Sequence, residues 1–465
     1  MTFSLNHPLF WFYLLYIVLV ISALLHMLYQ RRTPQNLMSW LLALLLLPYV
    51  GVVLYLIFGS RKLLQKRSKP LIAMHPFQES KPETPLAVEL DNLLRANQIA
   101  GTTDHNQVTF CEDGTLAFEH LLEEIENARR SIHIETYIFK LDSTGKEILQ
   151  ALINKAQAGV EVKLLLDAVG SLRLYLNSKP LNALRQAGGE FAFFQPIWSS
   201  LMASQVNLRN HRKIYLFDQT ILLTGGMNLS NDYLGIAKHA DQHWIDILLK
   251  IQGPNVFHHQ SIFNADWLYA TGKKLPEPRP VKPDTDADIM MQAVPSGPDI
   301  DSDALFETLL FSIHQARSHI QIVTPYFIPD SAVLNALLMA LKRGVKVTLL
   351  TPESSDHLIF DLGRSSYMRE ISEHGGDICY YQNTMLHAKL ILIDQQMMMI
   401  GSANLDYRSL FINHEMVNFI YSKELIEQLS NWTAGLLKNS RTYHPSDNKV
   451  RRLLENLTRI IAPIL

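Results

Sequence analysis

Two short segments of the chain carry the same pair of side chains that can act on an anion. His211 and Lys213 stand two positions apart in the first segment, and His387 and Lys389 repeat that spacing in the second. Both pairs lie in apolar, β-branched runs that predict buried strands, where residues two apart point to the same face. Each segment therefore sets an imidazole beside an ammonium group.

The residues that follow each pair repeat as well. A turn rich in Gly and Asn comes after both pairs, and side-chain amides with open backbone N–H groups in such a turn suit the binding of an anion. The candidate phosphate ligands in these turns are Gly226, Asn228, Ser402 and Asn404. A single His-x-Lys is common by chance, but this repetition favours a functional site over two satisfied core histidines.

The candidate catalytic set contains six residues, three from each segment. They are His211, Lys213, Asp218, His387, Lys389 and Asp394. The two aspartates lie seven residues beyond their histidines, so we expect them to be structural and to fix the turn that follows.

A carboxylate is expected to orient each imidazole and to stabilise its cationic form. Glu415 begins a strand after the second segment and is the candidate for His387. Asp246 is the candidate for His211, with Asp241 nearby as the alternative.

One active site formed between two such segments suits a phosphodiester. Phosphoryl transfer needs mostly positioning and electrostatic stabilisation, which two lysines and two asparagines provide without a metal. A neutral imidazole can attack phosphorus to form a phosphohistidine, while the opposite imidazolium protonates the leaving oxygen and later activates the incoming hydroxyl. We therefore expect no metal and no cofactor, and chelators should leave activity unchanged.

The elements that carry these segments are also duplicated. Residues 128–139 match residues 316–327, with six of the twelve positions identical. Each copy has the order helix, strand, helix, strand and then the His-Lys strand. This alternation predicts an α/β sandwich made of two copies of one fold unit.

Two long apolar runs precede the duplicated body. No Asp, Glu, Lys or Arg occurs from Leu9 to Tyr29 or from Leu37 to Ser60, and each run has about the roughly 20 residues that a spanning helix needs. They predict a transmembrane hairpin rather than a signal peptide, since the first run has no basic n-region. The flanking basic residues favour a cytoplasmic body by five to two. They are Arg61, Lys62, Lys66, Arg67 and Lys69 against Arg31 and Arg32 in the loop.

The predicted domain boundaries follow from these features. They are 1–60 for the transmembrane hairpin, 61–85 for a basic, Pro-rich linker, 86–272 for the first half, 273–290 for a second linker and 291–465 for the second half. The tail 451–461 is amphipathic and basic. We expect it to pack against the body, and lying on a membrane surface is the alternative.

Composition limits the partners. A chain of 465 residues, 48% of them hydrophobic, can bury more than one core. Its net charge of −2 gives no nucleic-acid signature, so we expect no nucleic-acid partner. Cys111 and Cys379 are far apart without metal-ligand spacing and are expected to be free thiols.

These motifs resemble the phospholipase D superfamily, whose members carry His-x-Lys-x4-Asp followed by Gly-x-x-Asn. More narrowly, the apolar hairpin together with both motifs resembles the bacterial cardiolipin synthases, nearly from end to end. The matching segments are 47–51, 210–213, 224–228, 324–330, 386–389 and 401–410. Two features depart from the family: His414 stands where an aromatic is more usual, and residues 356–366 differ, which leaves acceptor selectivity open.

The resemblance implies a fold and a reaction. The fold is a duplicated phospholipase D-type α/β sandwich with pseudo-twofold symmetry behind a two-helix transmembrane hairpin. The reaction converts two phosphatidylglycerol molecules into cardiolipin and glycerol through a phosphatidyl-histidine, with His211 as the expected nucleophile. Phosphatidylglycerol and other anionic phospholipids would be the partners, and the bacterial inner membrane the location, multi-pass with a cytoplasmic body.

Three other functions stay open at this point. A phospholipase D-type hydrolase, or a transphosphatidylase that uses another alcohol, needs the same residues. A nuclease of the same superfamily is disfavoured by the hairpin and the mild net charge. A membrane scaffold with a relic site is disfavoured by the complete catalytic sets in both halves.

The roles of two further residues also stay open: Arg408 and Ser409 either bind the headgroup or close a loop.

Overall fold

The computed structural model describes an apolar N-terminal segment and an α/β body. The described residues are 8–29, 34–59, 69–72, 74–202, 205–235, 243–278 and 287–461. Parts of both predicted linkers lie outside these ranges. So do Asp241 and, apart from Lys69, the basic residues of the orientation argument, namely Arg31, Arg32, Arg61, Lys62, Lys66 and Arg67.

Helices and strands alternate through the body. The helices of the described ranges are Pro8–Tyr29 (α1), Pro34–Leu46 (α2), Val50–Phe58 (α3), Pro85–Ala96 (α4), Gly114–Asn127 (α5), Ser143–Gln157 (α6), Leu172–Leu176 (α7), Asn182–Gln186 (α8), Ile197–Met202 (α9), Asn255–Thr271 (α10), Ala304–Gln315 (α11), Ser331–Lys342 (α12), Leu358–Glu373 (α13), Tyr407–Phe411 (α14), Lys423–Lys438 (α15) and Lys449–Ile461 (α16). The strands are Thr103–Cys111 (β1), Ser131–Thr136 (β2), Glu161–Asp167 (β3), Glu190–Phe194 (β4), Ile214–Phe217 (β5), Ile221–Gly225 (β6), Leu248–Gln252 (β7), Ile289–Ser296 (β8), His319–Val323 (β9), Phe327–Ile328 (β10), Lys346–Pro352 (β11), Asp377–Tyr381 (β12), Leu390–Ile393 (β13), Met397–Gly401 (β14), Leu405–Asp406 (β15), Glu415–Ile420 (β16) and Ser440–Thr442 (β17).

One large mixed sheet contains both halves. Its strand order is β17-β12-β11-β9-β13-β14-β16-β8-β1-β7-β6-β5-β2-β3-β4. Counted outward from the central pair, β1, β7, β6, β5, β2, β3 and β4 correspond to β8, β16, β14, β13, β9, β11 and β12. The central strands β1 and β8 pair antiparallel, and an antiparallel pair of equivalent strands has a local twofold axis. The predicted duplication with pseudo-twofold symmetry is confirmed.

The strands within each half that lead to the His-Lys segments, or pair with them, are buried because helices cover the sheet. Every residue of β2, β5, β13 and β16 is buried, as expected of strands that read as continuous apolar runs. The helices next to these strands begin at N-cap residues and end at residues that allow the chain to turn, as α6 shows. Asp142 caps the N-terminus of α6 through the Gly145 N–H (3.0 Å), and Gly159 follows its C-terminus with φ of 87°. Cys111 and Cys379 are free thiols, as expected.

The N-terminal segment differs from the predicted hairpin in its second run. α1 is long and apolar enough to cross a membrane over Phe10–Tyr29. The second run is instead broken into α2 and α3, since Pro48 lacks an N–H and disfavours helix at the residue before it. α3 then folds back along α2: a Cβ on Gly51 would lie 2.5 Å from the Ala43 carbonyl oxygen, and the rings of Trp40 and Tyr55 lie 5.3 Å apart.

Candidate active site

Backbone hydrogen bonds across the junction of the halves position both His-Lys segments. The His211 N–H donates to the carbonyl of His414 (2.9 Å), and the His387 N–H donates to the carbonyl of Ile245 (2.7 Å). The strands β5 and β13 therefore begin one residue after each Lys, rather than including the pair as predicted. Because the two histidine N–H groups bond to the opposite half, they are withdrawn from the ladder of their own half.

The two segments meet at one cavity of about 500 Å³. His211, His387, Asn228 and Asn404 all line it, so imidazole and amide groups from both halves face the same space. The aromatic and apolar side chains on its walls are Tyr137, Ile138, Val169, Val206, Tyr233, Trp244, Tyr326 and Phe360. A single ligand in this cavity can touch both imidazoles.

His211 is held by a carboxylate of the second half. Its Nδ1 lies 3.0 Å from Oε2 of Glu415 and 3.2 Å from the carbonyl oxygen of Ser402. Burial lowers the pKa of His211, against the charge of Glu415, which raises it. Burial likewise opposes ionisation of Glu415, but His211 and Lys213 keep the pKa of Glu415 below its usual value. The Nε2 atom of His211 makes no hydrogen bond to any described residue, so it is the ring nitrogen that can meet a ligand.

His387 is held by a carboxylate of the first half. Its Nδ1 lies 2.7 Å from Oδ2 of Asp246, and its Nε2 lies 3.4 Å from the hydroxyl of Tyr233. Burial, with the nearby charge of Lys389, holds the pKa of His387 well below its usual value. Burial also raises the pKa of Asp246 to about 6, although Lys389 acts in the opposite direction. The Trp244 ring packs 5.2 Å from this imidazole.

The carboxylate pairing predicted from the sequence is therefore wrong in its partners. We expected Glu415 beside His387 and Asp246 beside His211, each within its own half, but the structure exchanges them. The reason lies in the sheet: β7 and β16 flank the central pair β1 and β8. The carboxylates that precede or begin these strands thus face the opposite half.

Gly226 and Ser402 occupy equivalent positions beneath the two carboxylates and do not line the cavity. The Ser402 hydroxyl donates to Oε2 of Glu415 (2.5 Å). At Gly226 an added Cβ would lie 2.2 Å from Oδ1 of Asp246, so only glycine leaves room for that carboxylate. Both residues thus lie against the carboxylates, and phosphate binding by them stays a prediction. The two imidazole–carboxylate pairs therefore differ, because Glu415 accepts a hydrogen bond from the Ser402 hydroxyl and Asp246 has only Gly226 at the equivalent position.

The two lysines lie behind the imidazoles rather than on the cavity wall. Lys213 donates to the carbonyl of His211 (2.7 Å), and Lys389 Nζ lies 2.6 Å from Nδ1 and 3.2 Å from Nε2 of His387. Burial lowers the pKa of Lys213 to about 7 and that of Lys389 to about 8. Two buried cations that repel each other favour an anion placed between them.

Asp218 and Asp394 are structural, which corrects their place in the catalytic set and confirms the turn role. Each carboxylate accepts hydrogen bonds from three successive backbone N–H groups at the start of a neighbouring strand, β2 or β9. These donors are Arg129, Arg130 and Ser131 for Asp218, and Arg317, Ser318 and His319 for Asp394. Both aspartates have positive φ, as does the Gln after each, so the carboxylate secures a strained hairpin turn.

Arg408 faces the cavity, whereas Ser409 closes a loop. The Arg408 guanidinium lines the wall and donates to the carbonyl of Asn207 (3.1 Å). The Ser409 N–H is bonded by the Asp406 carboxylate that caps α14 (2.7 Å). Sequence reasoning missed the aromatic walls, although one signal was present: Trp244 stands two residues before Asp246 in a polar loop.

A buried charge cluster lies behind the His211 segment. The Arg212 guanidinium bonds Asp266 (2.8 Å) and Asp299 (3.1 Å), and its Nε donates to the carbonyl of Glu415 (3.1 Å). Lys69, the first described residue after the N-terminal segment, inserts its ammonium between the same two aspartates. The chain leaving the apolar helices is thus fixed beneath the active site.

Known proteins are similar to this chain in sequence and in fold. The family model described as cardiolipin synthase, PLD-like domain, matches residues 121–267 and 309–437, and a phospholipase D-nuclease N-terminal model matches residues 14–60. Cardiolipin synthase 1 of Bacillus anthracis is 33% identical over 94% of this chain and 90% of its own length. A cardiolipin synthase of Clostridium perfringens is 32% identical over 94% and 95%. The phosphatidylserine synthase of Haemophilus influenzae Rd KW20 shares the fold with a TM-score of 0.58 at 15% identity, over 81% of this chain and 100% of that one.

Proposed function

Because the chain belongs to the cardiolipin synthase family of phospholipase D-like proteins, we propose that it makes cardiolipin and glycerol from two phosphatidylglycerol molecules. One observation carries this proposal: imidazoles from both halves line one cavity, each held at Nδ1 by a buried carboxylate. Because both Nδ1 atoms are occupied, Nε2 is the ring nitrogen of each histidine that can react with the phosphodiester or its leaving oxygen.

In the first step, Nε2 of His211 attacks the phosphorus of one phosphatidylglycerol. The P–N bond forms as the bond from phosphorus to the headgroup glycerol oxygen breaks. His387, whose cationic form the bound phosphate anion favours, gives that oxygen its proton. Charged Glu415 stabilises the cationic phosphatidyl-imidazole, since it lies 3.0 Å from the other ring nitrogen. We assign the attack to His211 because its Nε2 has no hydrogen bond to a described residue.

In the second step, His387 accepts the proton of a headgroup hydroxyl on a second phosphatidylglycerol. The hydroxyl oxygen attacks phosphorus, the P–N bond breaks, and cardiolipin leaves with His211 restored. The Tyr233 hydroxyl, 3.4 Å from Nε2 of His387, lies where a proton passes between imidazole and substrate. Acid and base are one residue, so the cycle balances without a cofactor.

The charge of the phosphate is met by groups from both halves. Lys213 and Lys389 supply positive charge from behind the imidazoles, and Asn228 presents its amide to the cavity. The Asn228 side chain is fixed because its Oδ1 accepts the Ile138 N–H (3.1 Å) and its amide also hydrogen-bonds to the Tyr233 hydroxyl. Donors held in place before the reaction stabilise developing charge most effectively.

We place the catalytic body on the cytoplasmic face of the bacterial inner membrane, anchored by α1. Because α3 folds back along α2, Tyr55 lies beside His26 near the end of α1, with 2.6 Å between His26 Nδ1 and the Tyr55 hydroxyl. The ends of α1 and α3 thus lie on the same side, and the Lys and Arg residues that follow these helices in the sequence favour the cytoplasm. This topology replaces the predicted two-span hairpin with one span and a re-entrant pair.

Purified protein in phosphatidylglycerol bilayers tests the proposed reaction. Cardiolipin and glycerol should form in equal amounts, and His211→Ala and His387→Ala should each abolish turnover. His374→Ala is the matched control, since that exposed histidine does not line the cavity. Release of phosphatidate instead of cardiolipin would assign a hydrolase, and turnover by either cavity variant would refute the mechanism.

A further inference from the structure

The C-terminal helix α16 packs on the body with its polar side. Glu455 is buried and pairs with Arg369, and the Thr458 hydroxyl donates to the carbonyl of Leu362 on α13 (3.2 Å). Arg459 reaches Glu370 of the same helix (2.8 Å). The expected packing against the body is present, but ion pairs and hydrogen bonds make the contact.

The apolar side of α16 faces outward. Val450, Leu453, Leu454 and Leu457 are 67%, 61%, 53% and 50% exposed. Their spacing of three and four residues sets them on one face of the helix, opposite Glu455 and Arg459. A helix that buries its charges and exposes its leucines is oriented for an apolar partner outside the body.

The charges around this face indicate which partner it meets. α16 carries four basic residues and one acidic residue, and the acidic one, Glu455, is turned into the body. Lys449 and Arg451 are exposed beside the leucines. A basic rim around an apolar face is the pattern of helices that lie in the headgroup region of an anionic bilayer.

The same surface continues to the mouth of the active site. Leu358 and Leu362, at the start of α13, are 76% and 40% exposed, and the Leu362 carbonyl contacts α16. His357, immediately before α13, and Phe360, in its first turn, line the catalytic cavity. A bilayer that covers the leucines therefore lies beside the opening through which a headgroup enters.

We propose that α16 and the start of α13 form a docking surface that lies on anionic phospholipid and holds the cavity mouth at headgroup level. The surface consists of Leu358, Leu362, Val450, Leu453, Leu454 and Leu457. It is separate from the anchor α1, and it deepens the proposed function only by stating how the lipid reaches the site.

Lipid-quenching fluorescence tests the surface without any need for turnover. In full-length Cys379→Ser protein, Leu454→Cys carries an environment-sensitive dye, and Met339→Cys, equally exposed at 53%, is the control. In phosphatidylglycerol-containing nanodiscs, nitroxide lipids should quench most of the emission at 454 and leave 339 unchanged. An unquenched dye at 454, or a disulfide between 454 positions of two copies in detergent, would overturn the proposal.

Kinetics supply the second readout. Leu453→Gln with Leu454→Gln should reduce turnover of bilayer phosphatidylglycerol about tenfold, because less apolar surface enters the membrane, with Met339→Gln as the control. Turnover of monomeric short-chain phosphatidylglycerol should be unchanged. Equal losses on both substrates would overturn the docking role. Absence of cardiolipin from wild-type protein on either substrate would instead refute the proposed function, whatever the quenching shows.

Discussion

Glu415→Gln best distinguishes two arrangements of the carboxylates. In one, Glu415 contacts His211 of the opposite half, as the structure has it; in the other, Glu415 contacts His387 of its own half, as the sequence predicted. The Glu415–His211 contact, 3.0 Å long and buried, is a charge-assisted hydrogen bond. Such bonds contribute about 1.5–3 kcal/mol, and each 1.36 kcal/mol is tenfold in rate. Formation of the phosphatidyl-histidine should therefore slow about 10- to 150-fold. The glutamine keeps the volume, so the loss reports the charge.

The assay is rapid-quench measurement of the first turnover with two leaving groups. Glycerol needs a proton to leave, whereas p-nitrophenolate departs without one, so only defects in the acid are rescued by a phosphatidyl p-nitrophenol ester. Glu415→Gln should slow both substrates alike, because Glu415 serves the nucleophile His211. Asp246→Asn, the matched variant beside His387, should slow phosphatidylglycerol and regain most of its rate on the ester. Rescue of Glu415→Gln, with Asp246→Asn left slow, would refute the exchange once the nucleophile is known to be His211.

Three further outcomes follow from charged residues of the body. Since burial lowers the pKa of Lys213 to about 7 and that of Lys389 to about 8, both lose charge as pH rises. kcat/KM for the anionic lipid should therefore fall as pH rises from about 7 through 8, and a flat profile to high pH would contradict this. Lys69→Met leaves two buried aspartates short of a cation and should lower the free energy of unfolding by about 3–5 kcal/mol, with Lys69→Arg losing less in the same denaturation experiment. Asp394→Asn should lower that free energy by about 1–3 kcal/mol and leave kcat unchanged; a large loss of kcat without loss of stability would return it to the catalytic set.

Features that depend on residues close together in the sequence were the most predictable. The spacing of His211 and Lys213 and its repetition at 387 follow from local strand geometry, which a single sequence records. The turn role of Asp218 was also predictable, since a residue seven positions beyond the histidine cannot share its face. The same local pattern overextended β5, because the His211 N–H bonds to the other half rather than to its own ladder.

The contacts between the halves were not predictable from one chain. The duplicated sequence indicates that each half contributes one His-Lys segment. It does not indicate whether each carboxylate contacts the histidine of its own half or that of the opposite half. Only the central β1–β8 pair decides, because it sets which strand ends face each other. In the N-terminal segment, the length of the two apolar runs was sufficient for two spans. The reversal of the chain after Pro48 brings Gly51 against Ala43, a contact that the length and composition of the runs do not indicate.

The attachment site of the covalent intermediate tests the central claim most directly. Phosphatidylglycerol labelled in its diacylglycerol part is mixed with enzyme and denatured with detergent at neutral to mildly alkaline pH within one turnover, because acid cleaves the P–N bond, and the labelled peptide is sequenced. We predict that the label lies on His211, that His387→Ala reduces its formation, and that unlabelled phosphatidylglycerol chases it into cardiolipin. A label on His387 would reverse the two roles, and a label on neither histidine would contradict the mechanism.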